Sequence, residues 1–291
     1  MKDADGNLIL STEASKETTD DSITEKTKET DAEGTTTETV DMVKTDGTED
    51  FSKSTVVTDK DGNTVSSSEQ SKETASNGTV TEMSKVLHVG TTTEEKEVTA
   101  LDKSGSYEKT VTEANGDVKG GSVTKAAGGE VSSFTNSSTI GGESSLQTYK
   151  SGDNGFVLEK SEGDKGDISV GGKVQDVSGD SHTITVIGDG AFAGNTDITS
   201  ATIDGSVNRI GNDAFRGCER ARSVRVKARL DYRPVRTNGK KKAYSITLGK
   251  NCLKGTSKKL VIEVPDKKTK KDIKKQLKKA GNPKAKVKIV K

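Results

Sequence analysis

The sequence predicts a mainly β protein in which N-terminal polar β-meander or hairpin repeats precede a short solenoid with a C-terminal helix-strand cap. Three observations predict it. Asp-Gly and Asn-Gly turns punctuate residues 1–150. The stretch "VIGDGAFAGN" (186–195) returns 23 residues later as "RIGNDAFRGC" (209–218). A Lys-rich segment with apolar residues at helical spacing closes the chain.

Composition bounds the rest. Hydrophobic residues are 28% and aromatics 3% of the 291 residues, too few for a large compact core throughout. Residues 1–150 carry 15 Lys, no Arg and 29 Asp plus Glu, a net of −14, and the remainder carries +15. This asymmetry bears on partners and solubility rather than on fold. Two cysteines, Cys218 and Cys252, make no disulfide framework, and no Cys/His cluster has zinc spacing; both read as packed thiols. No run approaches 18 apolar residues, so no membrane span is expected. The N-terminus lacks the pattern of a signal peptide, which suggests a cytoplasmic protein, or a mature part or fragment of an exported one.

Residues 1–150 read as a Thr/Ser-rich, stalk-like β-hairpin region. The turns "DADGN" (3–7), "KTDGT" (44–48), "DKDGN" (59–63), "SNGT" (76–79), "KSGS" (103–106) and "EANGD" (113–117) supply the positive φ of tight two-residue hairpin turns. Between them Thr and Val alternate with polar residues, as strands do. The alternative is a disordered Ser/Thr-rich stalk. "DKDGN" also invites a calcium reading, but Gly62 stands at position four of the loop, not six, so a hairpin turn is preferred.

The duplicated stretch decides the second half. Gly188, Gly190 and Gly194 imitate a dinucleotide-binding turn, yet Gly190 becomes Asp213 and then Asn251 while the apolar slots are kept. A phosphate cradle needs one special loop, and the glycine spacing here is one residue too long. A 23-residue period with fixed apolar slots instead signals a solenoid, because one turn cannot bury its apolar side alone. The expected core is Ile187, Phe192 and Ile203 in the first turn, and Ile210, Phe215 and Val226 in the second. Leu248, Leu253, Ile262 and Val264 make the third, after an interruption. Glycines at fixed offsets are read as tight turns.

At these residues, about 184–265, the chain resembles the BspA-type leucine-rich repeat, whose signature is I-G-x-x-A-F-x-G-C-x-x-L-x-x-I-x-I. Cys252-Leu253 replaces Ala-Phe in the third copy, and Ala221 stands where Leu is usual. The resemblance implies a bacterial cell-surface or secreted protein that binds proteins or mediates adhesion without catalysis, so an extracellular or cell-surface place is expected. Residues 151–173 are read as a linker and 174–265 as the solenoid, with an opening strand or hairpin at 174–186. Residues 266–291 form the cap, a helix from about Asp266 to Ala280 and a strand at 285–291.

No catalytic, metal or cofactor constellation is found. His88 and His182 lack a nearby Cys or a motif-spaced acid, and the carboxylates are scattered at turns. The candidate partner contacts lie in the basic insert at 227–245: Arg229, Tyr232, Arg233, Arg236, Lys240, Lys241, Lys242 and Tyr244. Arg and Tyr are common interface anchors, and inserted loops on solenoids are usual recognition sites. The cap holds 12 Lys against two Asp, which reads as a solvated face or as a patch for an anionic cell-wall or matrix polymer. No nucleic-acid partner is expected, since no aromatics are interleaved with the charges. The rival readings are a targeting or spacer module of a larger secreted enzyme, and an intracellular scaffold.

Overall fold

The computed structural model describes Met1, residues 9–227, the strands Arg236–Thr237 and Lys240–Lys241, and residues 246–290. The chain divides into two compact units, Met1–Val131 with Ser138–Gly142, and Ser132–Ser137 with Glu143–Lys291.

The first unit is a meander of nine strands, each antiparallel to the next. They are β1 (Leu10–Thr18), β2 (Ser22–Asp31), β3 (Thr36–Lys44), β4 (Phe51–Thr58), β5 (Thr64–Thr74), β6 (Val80–His88), β7 (Thr91–Thr99), β8 (Gly105–Thr112) and β9 (Val118–Lys125). Among its described residues only Val123 and Asp50 are buried. Core packing therefore cannot select the strand register. Charges at directly opposed positions do so instead: Lys16–Glu25 at 2.7 Å, Lys28–Glu38 at 2.6 Å, Lys53–Asp41 at 3.6 Å, Lys85–Glu94 at 2.7 Å and Lys109–Glu95 at 2.7 Å. A one-residue slip would send every side chain to the other face and separate each pair. Exposed pairs contribute only about 0–1 kcal/mol each, so their role is to discriminate between registers.

The turns differ in class from the two-residue expectation. In "DKDGN" the Gly62 N–H donates to the Asp59 carbonyl (3.0 Å) and the Asp59 N–H to the Asn63 carbonyl (2.9 Å). This is a type I turn followed by left-handed Gly62, φ 84°, the three-residue hairpin loop. The Asp59 carboxylate selects it by accepting the N–H groups of Asp61 and Asn63, both at 2.9 Å, the side-chain turn that Asp favours. The same pair of backbone bonds closes "SNGT" and "EANGD". Two links not anticipated from the sequence, Val89–Gly90 with φ 48° and 77° and Gly141–Gly142 with φ 56° and 82°, have the positive φ at both positions that a two-residue turn needs. In "KSGS" the left-handed residue is Lys103, φ 65°. Gly105 serves close approach, since a Cβ there would lie 1.9 Å from the Val98 carbonyl oxygen. "KTDGT" belongs to a longer loop, closed by the Lys44 N–H on the Asp50 carbonyl at 3.1 Å. "DADGN" lies outside the described residues.

The central residues of β10 (Val131–Ile140) belong to the second unit, with β11 (Glu143–Gly152), β12 (Gly155–Glu162), β13 (Gly166–Val170), β14 (Gly172–Gln175) and β15 (Ser181–Ile187). Then come β16 (Ile198–Ile203), β17 (Arg209–Ile210), β18 (Ser223–Val226), β19 (Arg236–Thr237), β20 (Lys240–Lys241), β21 (Thr247–Leu248), β22 (Val261–Val264), α1 (Lys267–Ala280) and β23 (Lys286–Ile289). Residues 151–173, read as a linker, thus carry the end of β11, β12, β13 and the start of β14. Their glycines, although turn-like in sequence, alternate with inward-facing Leu158, Ser161 and Val170, which are buried.

Two parallel sheets form the solenoid. One runs β12–β15–β17–β21, with Ile187 opposite Ile210 and Ile210 opposite Leu248. The other runs β13–β16–β18–β22–β23, with Ala201, Val224 and Ile262 in one row. Ile187, Phe192, Ile203, Ile210, Phe215, Val226, Leu248, Leu253, Ile262 and Val264 are all buried. The rings of Phe192 and Phe215 stack at 4.8 Å and 9°. Fully burying one such side chain is worth about 1.5–3 kcal/mol, so these inward rows supply the cohesion that the meander lacks.

Candidate functional site

Each coil is locked to the next by its own turn. The N–H groups of Gly190, Phe192 and Gly194 donate to the carbonyls of Asn212, Ala214 and Arg216, at 2.8, 2.8 and 2.7 Å. Those of Asp213, Phe215 and Gly217 donate to Lys250, Cys252 and Lys254, at 2.9, 2.9 and 2.8 Å. The slot held by Gly190, Asp213 and Asn251 is left-handed in all three coils, φ 69°, 54° and 55°. Asp and Asn are the non-glycine residues that tolerate that region best, so the substitution that argued against a phosphate loop is a conformational equivalence. Gly211 and Gly249 do not turn the chain. A Cβ on Gly211 would lie 2.5 Å from the Gly188 carbonyl carbon, and one on Gly249 would lie 2.4 Å from that of Gly211. They let successive backbones touch.

Side chains reinforce the stack. The Asp189 carboxylate accepts the Asn212 N–H (2.8 Å), the Asn212 amide (2.9 Å) and Arg209 (3.1 Å). Burial works against its ionisation, but the bonds from Asn212 and the Arg209 charge outweigh that and hold it below the usual carboxylate range. Asn212 Oδ1 in turn accepts the Lys250 N–H at 2.8 Å. Lys250, whose side chain offers no acceptor, ends the ladder.

The last coil has no successor, and α1 supplies one. Carbonyls left without partners at the end of a helix receive it: the Asn251 N–H donates to Lys279 (2.9 Å) and the Leu253 N–H to Ala280 (2.8 Å). Gln276 completes the substitution. Its Oε1 accepts the Leu248 N–H at 2.7 Å and its Nε2 donates to the Ile246 carbonyl at 3.2 Å, so one side chain imitates a neighbouring strand. The helix starts at Asp266, which caps the Thr269 N–H at 2.7 Å. It ends at left-handed Gly281, φ 86°, and buries Ile273, Leu277 and Ala280.

On this frame the outward positions vary from coil to coil. Along β16, β18, β22 and β23 the rows read Ser200, Ser223, Val261, Lys286 and Thr202, Arg225, Glu263, Lys288. Arg225 Nε meets Glu263 Oε2 at 2.7 Å. Beyond this sheet, the exposed lysines of α1 include Lys267, Lys271, Lys274 and Lys278.

Of the candidate contacts in the insert, Arg236, Lys240 and Lys241 lie on the β19–β20 antiparallel pair. Arg229, Tyr232, Arg233, Lys242 and Tyr244 lie outside the described residues, as do the side chains of all residues from 228 to 245. His182, which has no motif-spaced acid in the sequence, gains one in the fold. Its Nε2 pairs with Asp176 Oδ2 at 2.7 Å, and its ring stacks on Phe134 at 4.7 Å. Asp176 also accepts Ser178 Oγ at 2.6 Å and the N–H groups of Ser178 and Asp180, so its lone pairs are spent on the β14–β15 turn. Burial pushes the Cys218 thiol up to about 11 and the Cys252 thiol up to about 12. Neither is a thiolate near neutral pH, where nucleophilic or metal-binding cysteines must be. Among the described residues no group of three His, Cys, Asp or Glu is placed to hold a metal ion, and no helix is long and apolar enough to cross a membrane.

No protein-family model matches the chain, and no curated protein matches it. Among solved structures the chain is similar to a leucine-rich cell surface protein of Faecalibacterium prausnitzii A2-165, at 19% identity over 40% of this chain and 28% of that one, TM-score 0.31. It is similar to a leucine-rich repeat protein of Bacteroides capillosus ATCC 29799, at 19% identity over 36% of this chain and 94% of that one, TM-score 0.23. A third is the pneumococcal vaccine antigen PcpA, at 14% identity over 40% of this chain and 39% of that one, TM-score 0.21. The chain therefore spans well under half the length of the first and third of these proteins. The assignment of the coils rests on the register and hydrogen bonds of the second unit.

Proposed function

We propose that the chain is a non-catalytic repeat protein of a bacterial cell surface or of the secreted space, which binds other proteins through the outward face of its solenoid. One observation carries the reading. Inward slots keep their apolar character from coil to coil, whereas the aligned outward slots change chemistry, from Ser200 to Val261 and from Thr202 through Arg225 to Glu263. A rigid repeating frame with variable outward side chains is how solenoids build recognition surfaces. The basic insert, which falls between the second and third coils in the sequence, is proposed as a further Arg- and Tyr-bearing contact.

The test is binding of the full chain to immobilised purified fibronectin, laminin, collagen and fibrinogen, at low salt and at about 0.5 M salt, where surface charge is well screened. Saturable binding that persists at high salt and is lost in Arg225→Ala or in the insert variant Arg233→Ala/Arg236→Ala supports adhesion by specific contact. Absence of binding to every probe favours the second reading, a spacer or targeting module of a larger secreted protein. The nearly coreless nine-strand meander fits that role.

A further inference from the structure

We infer that the cap of the solenoid is a second binding site, for a flexible linear polymer bearing phosphate at each repeat. Its helical stripe lies beyond the protein-binding face and its other two lysines lie on β23, the last strand of that face, but the inference does not rest on protein binding there. Lys267, Lys271, Lys274 and Lys278 are exposed and fall at i, i+4, i+7 and i+11 on α1. That spacing puts them on one stripe, about 16 Å long at 1.5 Å per residue. Lys286 and Lys288 alternate with buried Val287 on β23, so both point outward, about 7 Å apart along the strand.

The local carboxylates are already committed. Asp266 caps the helix through the N–H and hydroxyl of Thr269, Glu263 is paired with Arg225, and Asp272 is itself engaged. The stripe lysines face water without an ion-pair partner among the described residues. Like charges one helical turn apart repel, so the arrangement costs stability, and a bound polyanion would remove that cost. The side chains also select the kind of anion. Residues 246–291 contain no Arg, and Lys is a compact point charge on a flexible stem rather than a planar fork. Such a surface reads charge density along a pliant backbone. The region has no aromatic residue, so it offers no platform for base stacking.

The experiment uses the full chain and fluorescently labelled linear inorganic polyphosphate, with affinity measured by anisotropy between about 50 and 200 mM salt. The wild type is expected to bind at low salt. The Lys271→Glu/Lys274→Glu/Lys278→Glu variant is expected to bind at least tenfold more weakly. Its slope of log affinity against log salt should be shallower by about two, because each lysine–phosphate pairing on a single flexible strand accounts for about 0.7 of the slope. The control Lys26→Glu/Lys96→Glu/Lys119→Glu reverses three exposed lysines of the first unit and should stay within twofold of wild type. Thermal melts confirm that both variants are folded. The inference is overturned if the wild type does not bind, if both variants weaken equally, or if stiff duplex DNA or poly-L-glutamate binds as tightly as polyphosphate.

Discussion

Gln276 offers the sharpest perturbation, because one side chain stands in for a missing strand. It accepts the Leu248 N–H at 2.7 Å and donates to the Ile246 carbonyl at 3.2 Å, and both residues are buried. Gln276→Leu keeps most of the side chain's bulk and adds apolar surface, but it strands two buried backbone groups. Each group left without a partner costs about 1–3 kcal/mol, and part of that is returned by the new apolar contact, so a net loss of about 2–4 kcal/mol is expected. For a domain of this size each kcal/mol lowers the melting temperature by about 2–4 °C, giving a fall of about 4–16 °C. Gln276→Glu keeps the acceptor for Leu248 but turns a carboxylate oxygen toward the Ile246 and Asp272 carbonyls that the amide donates to, so it should also destabilise at neutral pH, because a charge is set against two acceptors. Differential scanning calorimetry of the full chain measures the transition, with exchange of core amides of the second unit assigning it. The neighbouring exposed Lys275→Leu is the control and should move the transition by less than about 0.5 kcal/mol. The capping argument is refuted if Gln276→Leu is no worse than that control, or if Gln276→Glu leaves the transition at the wild-type temperature at neutral pH.

The other expectations concern the coils, the meander and pH. Phe215→Ala removes a buried ring stacked on Phe192 and should cost about 3–5 kcal/mol, seen as loss of the second unit's calorimetric transition. At Asp213, φ 54°, Asp213→Gly should be tolerated, whereas Asp213→Val should destabilise by about 1–3 kcal/mol in urea unfolding. In the meander, Lys85→Glu would face Glu94 and Glu69 across both seams. It should lower stability by up to about 1 kcal/mol, an effect that shrinks as salt is added. Asp189 and the helix cap Asp266 are held below their ordinary value of 3.8 despite partial burial, by bonds from Asn212 and from Thr269. A lowered folded value means that the unfolded chain takes up protons first. The stabilisation is therefore complete above the ordinary value and disappears as pH falls below about 4, so the melting temperature of the second unit should drop between about pH 4 and 2.

How much of this was legible in the sequence depends on where each interaction is written. The class of fold was legible because apolar slots recur at a fixed offset, and the stacked rows Ile187–Ile210–Leu248 and Ala201–Val224–Ile262 follow that offset. The helix from Asp266 was legible through its cap and its thin apolar stripe. The turn class was not: Asp-Gly suits two kinds of hairpin loop, and the choice lies in which N–H groups the Asp59 carboxylate accepts. Residues 151–173 looked like a linker because Gly, Asp and Ser dominate them, yet alternate residues face a core supplied by distant coils. The partnership of His182 with Asp176 spans a turn, and no catalytic spacing marks it. Gln276 carries no signal at all, since its role exists only once the third coil has been placed against the helix. The αL slot is the instructive case. Gly190, Asp213 and Asn251 look like a lost motif, but they are three residues suited to one backbone conformation.

The central claim is that the three coils and the helix form one closed, rigid frame, and amide hydrogen exchange of the intact chain tests it most directly. The account predicts that the N–H groups of Phe192, Phe215 and Leu253 exchange slowly and in one cooperative class, because each donates to the next coil or to α1, with Asp213 and Asn251 protected alongside them. If Asn251 and Leu253 instead exchange at the rate of an open turn while Phe192 and Phe215 stay protected, α1 does not close the array. The frame on which the binding surfaces depend would then be contradicted.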